Sequence, residues 1–104
     1  MEIMHEVKYL PLAQRDLINI IDYITDTLKA PKAAMDLVDA LDASISRLAQ
    51  FPYSGRVYQL VQPLQSEYRV LPVKNYLVFY VVNQHEVEIH RILYAKMNIE
   101  KFVK

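Results

Sequence analysis

The stretch YLVFYVV, Tyr76–Val82, is the longest wholly apolar or aromatic run in the chain. It falls far short of the roughly 20 residues a membrane-spanning helix needs, and its β-branched and aromatic content suits a strand. One face carries Tyr76, Val78, Tyr80 and Val82, the other Leu77, Phe79 and Val81. Neither face bears a charge, which predicts a central strand, covered or used on both sides. Asn83-Gln84-His85 then reads as a short turn. Glu86–Tyr94 returns as a second strand, with Val87, Ile89, Arg91 and Leu93 on one parity and Glu88, His90, Ile92 and Tyr94 on the other. Upstream, Glu67–Val73 supplies a third strand before a turn at Lys74-Asn75.

Earlier in the chain the periodicity changes. Glu6–Leu10 alternates and stops at Pro11, which cannot continue a ladder. Ala13, Leu17, Ile20, Ile21, Ile24 and Leu28 then recur at helical spacing, predicting a helix from Leu12 to about Leu28. A second helix is expected from Pro31, a favourable first helical residue, to about Gln50, with Ala34, Leu37, Val38, Leu41, Ile45 and Leu48 inward. Asp36, Asp39, Asp42 and Arg47 fall outside that stripe and read as a solvated surface. Phe51–Arg56 ends the helix and holds the only glycine, Gly55, a natural place for a positive φ. Val57–Ser66 reads as a loop, and Met97–Lys104 as one helical turn or a frayed tail. The expected fold is α+β: an N-terminal strand, an antiparallel helical hairpin, then a three-stranded antiparallel meander. All four strands form one sheet, with the helices on one face and the other face uncovered. Residues 1–104 make a single domain of this kind.

Formal net charge is zero, but residues 1–50 carry −3 (five Lys/Arg, eight Asp/Glu) and residues 51–104 carry +3 (seven and four). The basic excess therefore sits with the sheet. With no cysteine, a disulfide scaffold and a thiolate zinc site are excluded, and a reducing compartment fits. The first residues lack a basic region followed by a long apolar run, so no secretory signal is expected and the chain reads as cytoplasmic, without a membrane role. A single glycine rules out a phosphate-cradling loop. His5, His85 and His90 show no metal-ligand spacing, and no motif surrounds the serines, so neither cofactor nor metal is expected. What remains is a basic and aromatic set: Arg56, Arg69, Lys74, Arg91 and Lys96 among Tyr58, Tyr68, Tyr76, Tyr80 and Tyr94. Guanidinium and ammonium groups hold phosphates, and aromatic rings stack on unpaired bases. Arg56, Lys74 and Arg91 are accordingly candidates for contacting nucleic acid.

The runs LAQRDLINIIDYI, AAMDLVDALDASISRLAQFPYSGR, YRVLPVKNYLVFYVV and VEIHRILYAKMNIEKF resemble, in order and spacing, the RelE/ParE superfamily of bacterial toxins. The resemblance covers roughly Val7 to Val103. It implies the toxin of a type II toxin–antitoxin pair, bound by a cognate antitoxin encoded in an adjacent gene. Two target classes are implied with it. RelE-like members cleave mRNA on the ribosome, whereas ParE-like members inhibit DNA gyrase without nuclease chemistry. A third outcome is a degenerate toxin that keeps only its antitoxin binding. For the nuclease, the resemblance places phosphate binding on Arg69, proton transfer on Tyr94 and charge stabilisation on Lys96, a metal-independent catalytic set. RelE-like toxins commonly have an arginine after the central-strand tyrosine, where this chain has Leu77, and Met97 stands where a second basic residue is usual.

Overall fold

The computed structural model describes residues 4–58 and 67–96. The expectations for Met97–Lys104 and for most of Val57–Ser66 fall outside them. Strand β1 is Glu6–Tyr9, and Pro11 opens α1 (Pro11–Asp22), where its missing N–H leaves no helical bond unmade. Ala13 and Ile24 are buried on the expected face, and Leu17, Ile20 and Ile21 pack beside them. Leu28 departs from that stripe and is 54% exposed. The cause is local: after Asp22 the backbone widens into a π-turn, Tyr23–Thr27, in which the Leu28 N–H reaches back five residues to the Tyr23 carbonyl at 3.0 Å. One extra residue in a turn rotates the next residues by about 100° around the helix axis, taking Leu28 off the buried face. Lys29 then adopts a left-handed conformation (φ 53°), and the Ala30 N–H closes on the Ile24 carbonyl at 3.0 Å. Helix α2 (Pro31–Ser46) comes next, tightening into a 3-10 turn at Arg47–Ala49. Ala34, Leu37, Leu41, Ile45 and Leu48 are buried against the sheet, while Val38, expected with them, is only half-buried.

Among the described residues the sheet has five strands, not four. Besides β3 (Arg69–Val73), β4 (Tyr76–Val82) and β5 (Glu86–Tyr94), Arg56–Val57 forms a short β2 in a stretch expected to be irregular. The order is β1-β5-β4-β3-β2, so β4 is central. The antiparallel meander runs from β2 to β5, and β1 joins β5 in parallel over Glu86–Ile89. Two residues of β2 are too few to show alternation, and alternation in β1 signals a strand without its direction. The parity expected for β5 also fails midway. Phe79 pairs with Arg91 and Tyr80 with Ile89, so His90 is an extra residue, a bulge. Val87, Ile89 and Ile92 therefore share the helix-covered face, where sequence alternation grouped Arg91 with Ile89.

The far face of the sheet is not open. Phe79 (0%), Val70 (1%) and Leu93 (4%) are buried there as a second core, with Tyr58, Tyr68 and Leu77 packed on it. The Tyr58 ring meets Phe79 edge-on at 5.1 Å. The expectation of an uncovered aromatic face is thereby overturned. Beyond the end of β1, α1 completes the edge of β5: the Asp16 carboxylate accepts the Ile92 N–H at 3.0 Å and two Arg91 donors at 2.8 and 2.9 Å. No helix among the described residues is long and apolar enough to cross a membrane.

Gly55 is required by closeness, not by a positive φ, which it does not have. A Cβ there would lie 2.5 Å from the Tyr80 hydroxyl oxygen and 2.9 Å from the Val70 carbonyl oxygen. The carbonyl belongs to β3 backbone and cannot step aside as a side chain does. Gly55→Ala should therefore destabilise the fold by about 1–3 kcal/mol, the usual range for forced overpacking. Thermal unfolding should show this as a fall of several degrees; an unchanged melting temperature would contradict the packing described.

Candidate functional site

A large concavity among the described residues lies where the helical hairpin meets the start of β4. It is a groove of about 980 Å³ lined by α1, the π-turn, α2, the β3–β4 turn and the end of β5. The π-turn places Tyr23 at its lip, with Leu28 beside it, both 54% exposed. Tyr76 and Tyr94, opposite one another on β4 and β5, meet edge-on at 5.6 Å on the sheet side. Burial raises the Tyr76 hydroxyl pKa, and the nearby Tyr94 and Tyr23 hydroxyls add to the rise. Tyr76 therefore stays a neutral donor at any ordinary pH. The rim carries Lys74, held left-handed (φ 52°) in the hairpin turn, and the Arg91–Asp16 pair. Asp16 also holds the Arg91 pKa above its ordinary value, chiefly by hydrogen bonding. The lining mixes Tyr, Leu and Ile side chains with a few charged groups, which suits an apolar side chain entering from a peptide.

A second arrangement lies toward the other end of β4. Tyr80 is fully buried, and its hydroxyl oxygen accepts the Gly55 N–H at 2.8 Å. The Gly55 carbonyl in turn accepts Arg69 Nη1 at 2.8 Å. The Arg69 guanidinium lies 4.9 Å from the Tyr53 ring centroid, and Glu67 is 3.4 Å away. Burial pushes the Tyr80 pKa up, opposed by the Gly55 N–H, Arg69 and Ser54.

These two places divide the residues singled out from the sequence. Lys74, Arg91 and Tyr94 line the groove, and Lys96 is exposed in the turn just after β5. Arg69 and Arg56 belong to the other end, on β3 and on β2. Arg69 pairs with Tyr80 and Tyr94 with Tyr76, four residues apart along β4. At strand rise that is about 13 Å. Among the described residues no three His, Asp or Glu side chains converge to hold a metal ion.

Sequence reasoning missed Asp16, Tyr23 and a polar chain on the far face. There the Tyr68 hydroxyl lies 3.0 Å from His90 Nδ1, and His90 Nε2 lies 3.4 Å from Glu88. The neutral Nε2–H tautomer satisfies both contacts, with the tyrosine donating and the carboxylate accepting. Burial, then Glu88, raises the Tyr68 pKa. The bulge brings His90 to this position, and nothing in residue spacing announces a bulge. Asp16 and Tyr23 had no sequence signal either, since their roles depend on the end of β1 and on the π-turn.

Two solved structures share this architecture. The chromosomal ParDE toxin–antitoxin system from P. aeruginosa matches with a TM-score of 0.72 at 23% identity, over 89% of this chain and 98% of that one. The E. coli DinJ-YafQ toxin–antitoxin complex matches with a TM-score of 0.51 at 12% identity, over 98% and 100%. At these identities the likeness is one of fold. No curated protein matches the sequence. The family model for the ParE toxin of the type II toxin–antitoxin system parDE matches residues 7–99, nearly the whole chain, and the protein belongs to that family, within the RelE/ParE superfamily of toxins.

Proposed function

We propose that the chain acts as a toxin by binding a protein target, with DNA gyrase the target that its family implies, and that its antitoxin silences it by occupying the groove at Tyr23, Tyr76 and Tyr94. The observation that carries the target class is the separation of Arg69 from Tyr94. A general base must come within about 2.6–3.2 Å of the proton it takes, and a phosphate-binding cation must share that site. Arg69 is instead committed to Gly55 and Tyr53, with Lys96 farther still from it, beyond Asn75. Protein binding needs no such convergence. The groove supports the antitoxin's place because it sets exposed tyrosine and leucine at its lip, with the charges of Lys74 and Asp36 and of the Arg91–Asp16 pair balanced in its lining. The apolar face of an amphipathic antitoxin segment fits that combination.

A second reading, a ribosome-dependent mRNA endoribonuclease, draws support from the Tyr68–His90–Glu88 chain, which has the parts of a proton relay. It would shift the chemistry from Tyr94 to Tyr68.

Two outcomes are expected. Tyr23→Lys and Leu28→Lys, both at exposed positions, should each weaken antitoxin binding by about 2 kcal/mol, a hot-spot loss of roughly thirtyfold, with the melting temperature unchanged. Titration calorimetry with the purified antitoxin measures it, and unaltered affinity in both variants would remove the groove from the interface. Tyr94→Phe, Lys96→Ala and Tyr68→Phe should leave growth arrest intact, with no new mRNA ends mapped in arrested cells. Ribosome-dependent mRNA cleavage lost on Tyr68→Phe would establish the second reading in place of the first.

A further inference from the structure

We propose that the loop Phe51–Arg56 is the surface by which this chain grips an acidic face of its protein target, a surface separate from the groove; the inference rests on the protein-binding reading above. Phe51 is 57% and Tyr53 61% exposed, and the neighbouring Val57 is also open to solvent. Isolated exposed apolar residues need no explanation, but these three stand within seven residues on one rigid support. Pro52 and Gly55 between them are buried. The Phe51 N–H bonds to the Arg47 carbonyl at 2.9 Å, and the Ser54 N–H to the Phe51 carbonyl at 3.1 Å. Both backbone groups of Gly55 are bonded, one to Tyr80 and one to Arg69. The loop is ordered before anything binds, so little freedom remains to be lost on association.

Charge identifies the occupant. From Arg47 through Tyr58 there is no aspartate or glutamate, and Arg47 and Arg56 are exposed on either side of the aromatics, while the two carboxylates near Tyr53, Glu67 and Glu86, are paired with Arg69 and Lys8. Neither Arg47 nor Arg56 makes an ion pair among the described residues. Arg69 lies beneath the Tyr53 ring. Tyrosine and arginine around a rigid centre are the residue types that dominate protein interfaces, and unpaired arginines select an acidic partner. Nucleic acid is the less suitable occupant: affinity for it grows with the number of phosphates neutralised, and the loop offers two unpaired cations on a chain of zero formal net charge.

The test uses the full chain expressed under a titratable promoter, with and without the adjacent antitoxin gene. Phe51→Ala/Tyr53→Ala and, separately, Arg47→Glu/Arg56→Glu should require about tenfold more protein to arrest growth, equivalent to about 1.4 kcal/mol. Arg47→Lys/Arg56→Lys should retain arrest. All three should co-purify with the antitoxin as the wild type does and melt at the same temperature. Folded variants of both kinds that arrest growth like the wild type would overturn the proposal. So would arrest lost together with antitoxin binding, because the two surfaces would then be one. A wild-type chain that never arrests growth would overturn the underlying reading and this one with it, and that failure shows in the control instead of the variants. Finally, fluorescence anisotropy with a labelled single-stranded RNA oligonucleotide should show no binding; binding that Phe51→Ala/Tyr53→Ala abolishes would replace the protein occupant with nucleic acid.

Discussion

A phenolic hydroxyl sealed inside a sheet needs a partner, and that of Tyr80 finds it in the Gly55 N–H. Left unpaired, the group would cost about 1–3 kcal/mol. Meeting that need draws the loop after α2 against the middle of the sheet, so close that no side chain fits at Gly55. The Gly55 carbonyl then anchors Arg69, and Arg69 supports Tyr53. One buried oxygen thus sets the position of an entire loop and, through Gly55, holds the Arg69 guanidinium against it. The same contact starts β2, which pairs with β3 immediately afterwards.

At the opposite end of β4 the organising contact is Asp16. β1 stops at Tyr9, and β5 continues beyond it with an unpaired edge. The carboxylate from α1 fills that gap, taking the Ile92 N–H and both arms of Arg91. A carboxylate holding a guanidinium fork and a backbone donor is among the stronger polar contacts available to a small domain. It fixes the hairpin against the sheet, and the cleft left between them is the tyrosine-lined groove. The π-turn completes the groove by rotating Leu28 outward, beside the exposed Tyr23.

Much of this was legible in the residues. Tyr76–Val82 showed its strand because seven apolar residues without charge on either parity suit a central strand, and α2 showed its stripe because Ala34, Leu37, Leu41, Ile45 and Leu48 keep helical spacing to the end. What escaped were single-residue departures from periodicity: the bulge at His90, the π-turn before Leu28 and the two-residue β2. Each is a shift of one or two residues, too small for a repeating pattern to show. Of the residues singled out from the sequence, Lys74, Arg91 and Tyr94 flank the β4 start and line one groove, while Arg69 pairs with Tyr80, four residues further along the strand; spacing alone does not tell which of them the fold brings together.

On the function proposed above, the toxin works through two surfaces, one at each end of β4, and not through a convergent catalytic set. Hydrogen–deuterium exchange of the chain alone and bound to its antitoxin tests that division most directly. The account predicts slower exchange in the complex across Tyr23–Ala30 and around Asn75 and Tyr94, with Phe51–Arg56 exchanging as in the free chain. Protection of Phe51–Arg56 with the groove segments unaffected would contradict it.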